Sequence, residues 1–369
     1  MRLMFILGLL LFSAVGARAD IQPEEVGREM MAAPGAGWFL VESFNAAWFF
    51  DSHTGEMQGS LSLSEYTPAV EPNLPKGEFY SADSFYSRGV RGERDDVLTI
   101  WDAKTLSPKG EVPIPKKTAT LWFRNYISLL DDDRHVVVFN MTPAQSVSVV
   151  DVARKKFVGE IATSGCALIL PEPNRAFLML CGDGTLQLIR LDTDGKEAKR
   201  VRSEKFFDIE ADPVFDQVAR TETGWILLSH AGNVFQVKTD KDRIEISKPF
   251  PILTQADEGW RPGGYQPLGF HRDSHVLYIL MHEGGVDTHY ESGTEVWLVD
   301  IDRGKRIGRF ALDEASKAVQ VTQEAVPLLL TLTDKGSVDV YDGQLLRRLR
   351  SIDGVGPSPL FLQTLGRHD

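Results

Sequence analysis

The chain has 369 residues, with 40 lysines and arginines against 52 aspartates and glutamates, and a formal charge of −12. A surface this acidic repels phosphate backbones, which excludes nucleic acid as an expected partner and favours a basic protein or a cationic ligand. The length admits two or three ordinary domains or one large all-β domain, so the internal pattern has to decide between them.

Residues 1–19 carry Arg2, an apolar core from Leu3 to Val15, and the small-residue ending Ala17-Arg18-Ala19 before Asp20. That is the layout of a secretory signal peptide cleaved near Ala19, and the apolar run is too short for a membrane span. Its removal takes two arginines and no acid, moving the formal charge from −12 to −14. The mature chain is expected to be exported and soluble, with no membrane partner. Residues 20–37 are polar and partly helical in pattern, an N-terminal arm ahead of the fold.

From residue 38 onward one pattern recurs: alternating apolar residues, often an aspartate, a polar turn, then a second strand. Clear copies end at Asp51, Asp102 and Asp151; weaker ones end at Asp192 and Lys238; strong copies return at Asp300 and Asp342. The intervals between these seven positions are 51, 49, 41, 46, 62 and 42 residues. A period near 45 residues built from short β runs is the signature of propeller blades, whereas a pair of β-sandwiches predicts turn spacing without such a repeat. The expectation is one all-β domain over 38–369, a seven-bladed β-propeller preceded by a short arm. An eighth blade would need a hidden copy inside the long interval, which contains the glycine- and aromatic-rich stretch from Asp257 to Asp300.

Catalytic machinery is sparse. Cys166 and Cys181 are too far apart for haem attachment, no histidine or other base neighbours either one in sequence, and an exported pair is read as a disulfide. His271 and His275 flank a turn, so helical metal-ligand geometry is not expected there. His282 and His289 flank Gly284 and Gly285 and read as a solvent-facing loop pair, with a metal site as the alternative. Asp183-Gly184 is a hairpin signal, and Asp131-Asp132-Asp133 reads as a solvated turn.

Several segments resemble the heavy chains of periplasmic amine dehydrogenases, of the methylamine and aralkylamine types. They are Arg91 to Asp96 before Trp101-Asp102, Pro143 to Val152, Gly165-Cys166, Pro171 to Arg175 and Cys181 to Gly184. Further ones are Gly259 to Tyr265 with His271-Arg272, Thr288-His289, Glu295 to Asp300 and Val338 to Asp342. They span almost the whole mature chain in one order. The resemblance implies a seven-bladed propeller, a Cys166–Cys181 disulfide and a periplasmic location. It also implies an α2β2 assembly whose light chain carries tryptophan tryptophylquinone and passes electrons to a blue copper protein, leaving no cofactor in this chain. By the same resemblance Tyr66 falls near an aromatic position lining the entrance to the quinone pocket, although the usual residue there is Phe. Trp260 and Tyr265 are candidates for light-chain contact, against the reading of a stiff loop packed on its own blade. The residues after Cys166 and before Cys181 lean toward the aralkylamine branch. The rival reading is an exported, non-enzymatic propeller that binds a protein or peptide.

Overall fold

A computed structural model of the chain describes residues 30–43, 45–65, 69–116, 124–141 and 144–365. The signal segment and Tyr66 lie outside the described residues.

The backbone is almost entirely β, with three single-turn 3-10 segments among the described residues. No helix there is long and apolar enough to cross a membrane. The second blade shows the plan: Val70–Asn73, Glu78–Tyr86, Arg94–Asp102 and Pro108–Pro113 pair antiparallel in chain order. Ile127–Leu129 to Lys156–Ala162 make the third blade, Cys166–Glu172 to Glu197–Arg202 the fourth, and Ala219–Arg220 to Arg243–Ile246 the fifth. The first blade is composite. Its strands Trp38–Glu42, Ala46–Asp51 and Met57–Ser62 receive their fourth member, Phe361–Thr364, from the far end of the chain.

The seven separate blades expected from the repeat are not what the hydrogen bonding shows. Five blade-sized sheets are distinct, and the remainder of the described chain forms one eight-stranded sheet from Trp260–Pro262 to Arg348–Ile352. The physical reason is the 17-residue strand Lys305–Val321, which does not break where a blade would end. Its first part pairs with Gly293–Asp300 and its last part, from Ser316, with Leu328–Thr333. The long interval hides no eighth blade. It is filled by Phe250–Pro251, which pairs with Asn233 and Val234, and by Trp260–Pro262, which pairs with Met281 to Glu283.

The recurring aspartates have a common structural task. Each ends the third strand of its unit and turns its carboxylate onto backbone N–H groups of the following turn. Asp51 accepts from His53, Asp102 from Lys104 and Thr105, and Asp151 from Arg154. Asp192 accepts from Asp194 and Lys196, Asp300 from Asp302 and Arg303, and Asp342 from Gln344 and Leu345. A short acidic side chain is suited to satisfying turn donors in this way. The pairing register shifts just ahead of every one of these aspartates, between Phe49 and Phe50, Ile100 and Trp101, and Val149 and Val150. The same holds between Arg190 and Leu191, Leu298 and Val299, and Val340 and Tyr341. Such a bulge adds twist to the outer strand. The weak copy at Lys238 is weak for a reason: that strand runs on to Asp240 without a register shift and turns through Lys241 and Asp242.

Neighbouring blades share apolar packing and, at each junction, polar ties. Val70 N–H donates to Glu42 Oε1 at 3.2 Å, Leu129 N–H to Glu71 Oε1 at 3.1 Å, and Ser128 Oγ to the Ile169 carbonyl at 2.9 Å. Trp225 Nε1 donates to Glu172 at 2.8 Å, Gln236 Nε2 to the Ile301 carbonyl at 3.2 Å, and Gln323 Nε2 to the Phe270 carbonyl at 2.8 Å. Gln266 both donates to and accepts from the backbone of Leu362, each at 2.9 Å. The acidic triplet corrects its sequence reading as a mere solvated turn. Asp131 accepts from Asn174 and Arg175 of the next blade at 2.6 and 2.7 Å, while Asp132 holds buried His135 at 2.6 Å. The bonds from His135 hold the Asp132 carboxyl at about 2, below the carboxylate range, against its own desolvation.

The turn aspartates are separable by mutation. Asp192→Ala leaves two backbone donors without their acceptor and is expected to lower stability by about 1–2 kcal/mol in urea unfolding. Lys238→Ala, at the corresponding but exposed position without this cap, is expected to stay within about 0.5 kcal/mol of the parent.

Candidate functional site

Because strands alternate in direction, one end of the ring collects the starts of the first strands, the second-to-third turns and the links between blades. The other end collects the aspartate-capped turns. Cys166, Cys181, Trp260, Tyr265, His282 and His289 all fall at the first of these ends.

Cys166 and Cys181 are joined by a disulfide and sit directly opposite each other on the first two strands of the fourth blade. The turn after Cys181 is a hairpin, as Asp-Gly predicts. Gly184 adopts φ 86°, and Asp183 accepts from both the backbone and the hydroxyl of Thr185.

Trp260 is half-buried on its own blade, 5.5 Å from the fully buried Trp297. Arg306 lies 4.2 Å over the Trp297 ring and Arg309 lies 5.7 Å over the Trp260 ring, and Asp257 anchors Arg306 at 2.9 Å. This is a stacked guanidinium and indole ladder in which charge and ring quadrupole attract. Tyr265 packs 5.5 Å from Tyr290, whose ring is mostly exposed, and Tyr290 meets His289 at 4.3 Å. His289 in turn stacks on His230 of the fifth blade at 4.1 Å, with Phe215 against both. Desolvation pushes the His230 imidazole down to about 4, so the stack is neutral. His282 and His289 do not converge on a metal: His282 Nε2 bonds Thr288 Oγ1 at 2.8 Å. Among the described residues no group of three or more His, Cys, Asp or Glu is placed to hold an ion. His271 and His275 are likewise apart in role, the first bonded to the Glu324 carbonyl and the second to Asp302.

Sequence reasoning missed the axis of the ring. A cleft there is lined by Arg124, Asn125, Gln217, Arg220, Gln266 and Gln320, together with Trp225 and Phe270. Beside it Glu42 is fully buried, and desolvation pushes its carboxyl up to about 7 against the pull of Arg124. Glu71 keeps some accessible surface, yet desolvation by the surrounding protein raises it to about 8. With its amide oriented to satisfy both atoms, Gln363 bridges the two charges, donating to Glu42 Oε1 at 2.9 Å and accepting from Arg124 at 3.2 Å. The available signal was a glutamate closing the otherwise apolar strand Trp38–Glu42, every residue of which is buried.

These features define a β-propeller whose ring is closed by its own last strand and whose one face is decorated with aromatic rings and a disulfide. Solved propellers agree at the level of fold. The β-propeller domain of Cps50 (Swd1) from Myceliophteria thermophila superposes with a TM-score of 0.60 at 9% identity, covering 85% of this chain and 95% of that one. More specifically, residues 50–366 match the family model of the methylamine dehydrogenase heavy chain, and the chain belongs to that family. The methylamine dehydrogenase heavy chain of Methylophilus methylotrophus is 28% identical over 96% of this chain and 93% of its own length. That of Methylobacillus flagellatus is 28% identical over 78% of this chain and 73% of its own. Both relatives carry the methylamine name, so they lend no support to the aralkylamine lean of the sequence.

Two outcomes test the site. The double variant Cys166→Ala/Cys181→Ala is expected to lose about 3 kcal/mol of stability, measured by urea unfolding under oxidising conditions, as for a loop of about 15 residues. Glu42 keeps its proton to about pH 7 in the folded chain, whereas its ordinary carboxyl value is 4.5. The folded state therefore holds the extra proton in that window, and stability falls as pH rises through it. Glu71 extends the fall toward pH 8. The urea midpoint is expected to decline from pH 5 to pH 8, and Glu42→Gln to flatten that decline.

Proposed function

We propose that this chain is the large, scaffold subunit of a periplasmic quinoprotein amine dehydrogenase that converts a primary amine and water to aldehyde and ammonia. The observation that carries the reading is family membership over residues 50–366, joined to a propeller face rich in rings. A small light chain would hold tryptophan tryptophylquinone, which would supply the two-electron redox chemistry, with a blue copper protein as the electron acceptor. The tryptophans that come close together in this chain do not fit such a group. Trp297 is fully buried with Nε1 bonded to Glu295, and Trp260 and Trp297 are both covered by guanidinium groups. Placing the quinone on another chain accords with that packing.

This chain's own contribution is then to bind and orient. In the eight-stranded sheet, the shared strand Lys305–Val321 serves as the outer edge of one blade and the inner edge of the next, a reading that brings the ring to seven. The face carrying Tyr265 and Tyr290 is the docking side for the light chain in an α2β2 assembly. Tyr66, outside the described residues, is assigned by the family resemblance to the approach to the quinone pocket. Export through the segment ending near Ala19 and the Cys166–Cys181 bond suit an oxidising compartment.

Purification of the chain from its native source is expected to bring down a small, cysteine-rich subunit whose visible absorption bleaches on addition of amine. A heavy chain that stays monomeric and finds no such partner would instead favour an exported propeller that binds protein or peptide. Reduction of a dye by amine with the isolated heavy chain would overturn the division of labour. Tyr265→Ala is expected to weaken light-chain association at least several-fold in a binding titration, since rigid aromatic anchors carry much of an interface's energy.

A further inference from the structure

At the axis of the ring Glu42 and Glu71 share the guanidinium of Arg124, while the neighbouring Arg220 is paired with Glu172. Glu42 is fully buried. Its Oε1 receives Val70 N–H at 3.2 Å and the Gln363 amide at 2.9 Å, but Oε2 meets no donor among the described residues. Glu71 lies within electrostatic reach of Glu42, and among the described residues Arg124 is the cation whose charge acts on both. One guanidinium against two carboxylates leaves one negative charge uncompensated, and an uncompensated buried carboxylate is strongly disfavoured. The cluster can resolve this by holding a proton or by holding another monocation.

We propose that the Glu42 and Glu71 carboxylates bind one small hydrogen-bond-donating monocation, ammonium or a short protonated primary amine, with Glu42 Oε2 as its first acceptor. Two observations select this class. The orphaned acceptor asks for an N–H donor, because a buried oxygen without one forfeits the full cost of its desolvation. Hard metal ions such as calcium gather six to eight oxygen ligands, and no cluster of three or more His, Cys, Asp or Glu is assembled among the described residues. The adjoining cleft presents Asn125, Gln217 and Gln320, whose amide oxygens can accept from a donor that turns away from the carboxylates, beside the guanidinium groups of Arg124 and Arg220, the latter paired with Glu172. The inference stands on the geometry of the axis and is independent of the amine dehydrogenase assignment.

The test uses the full mature chain, with its light chain if the two co-purify, at pH 8, where Glu42 has largely released its proton and Glu71 is at the midpoint of its own release, while ammonium remains charged. Thermal unfolding is followed in ammonium, methylammonium, sodium and tetramethylammonium chlorides at equal ionic strength. Ammonium and methylammonium are expected to raise the midpoint in a saturable way. Sodium and tetramethylammonium, which donate no hydrogen bond, are expected to give only the shift common to all the salts. Glu42→Gln places an amide at the orphaned oxygen, removes the excess charge, and is expected to abolish the ammonium-specific shift. If that variant does not fold, Glu71→Gln replaces it, and loss of ammonium-specific line broadening in 15N-ammonium NMR serves as the direct readout. Equal shifts in all four salts, or an ammonium shift retained when the carboxylate is replaced, would overturn the proposal. Light-chain association should be unaffected either way, which separates this outcome from failure of the functional assignment.

Discussion

The ring depends on one contact between chain ends: Phe361–Thr364 pairs with Trp38–Glu42, residue against residue, from Phe39 opposite Thr364 to Glu42 opposite Phe361. A blade has two apolar faces and cannot bury both alone, so each sheet relies on a neighbour at either side. Without the terminal pairing the first blade would lack its strand at the axis, and its partners on both sides would expose the apolar rows that pack there. Closure of the ring therefore rests on a pairing more than 300 residues apart in sequence. Loop closure of that length is paid once in conformational entropy, and its cost grows only logarithmically with chain length.

That constraint explains which parts of the structure were legible in the sequence. The repeat was visible because each blade solves the same local problem, ending its third strand with a carboxylate that caps the next turn, as at Asp102 and Asp342. The disulfide was visible because two cysteines in an exported chain leave few choices. The division of the last eight strands was not, because nothing in the residues from Ala311 to Ser316 marks the point where a strand continues instead of turning. Asp131 was misread for a related reason: its partners, Asn174 and Arg175, lie on another blade, and no local pattern announces them. The polar axis was hidden more deeply still. Glu42, Glu71, Arg124 and Gln363 are drawn from different parts of the chain, and only closure of the ring brings them together.

The two ends of the ring differ in chemistry as well as in topology. One carries short, self-contained turns whose donors are satisfied by their own aspartates, leaving little that a partner could complete. The other carries Tyr265, Tyr290 and the neutral His230–His289 stack, with ring faces and edges still presented to solvent. Large flat side chains of this kind offer contact area at small entropic cost. The asymmetry follows from strand order alone, since long links between blades can emerge only where the fourth strand of one blade leads to the first strand of the next.

The unbroken strand Lys305–Val321 has a mechanical consequence for the whole ring. Elsewhere a junction between blades consists of side-chain packing and a few polar ties, which can slide or open without disrupting a ladder. Here the junction is covalent β backbone paired on both flanks, through Asp300 on one side and Thr333 on the other. The last two repeats should thus behave as a single stiff arc, exchanging their amide hydrogens together, while any breathing of the ring concentrates at its softer seams. The closing strand Phe361–Thr364 follows that arc in the chain, so the segment joined by continuous backbone pairing is also the one that delivers the clasp to its partner.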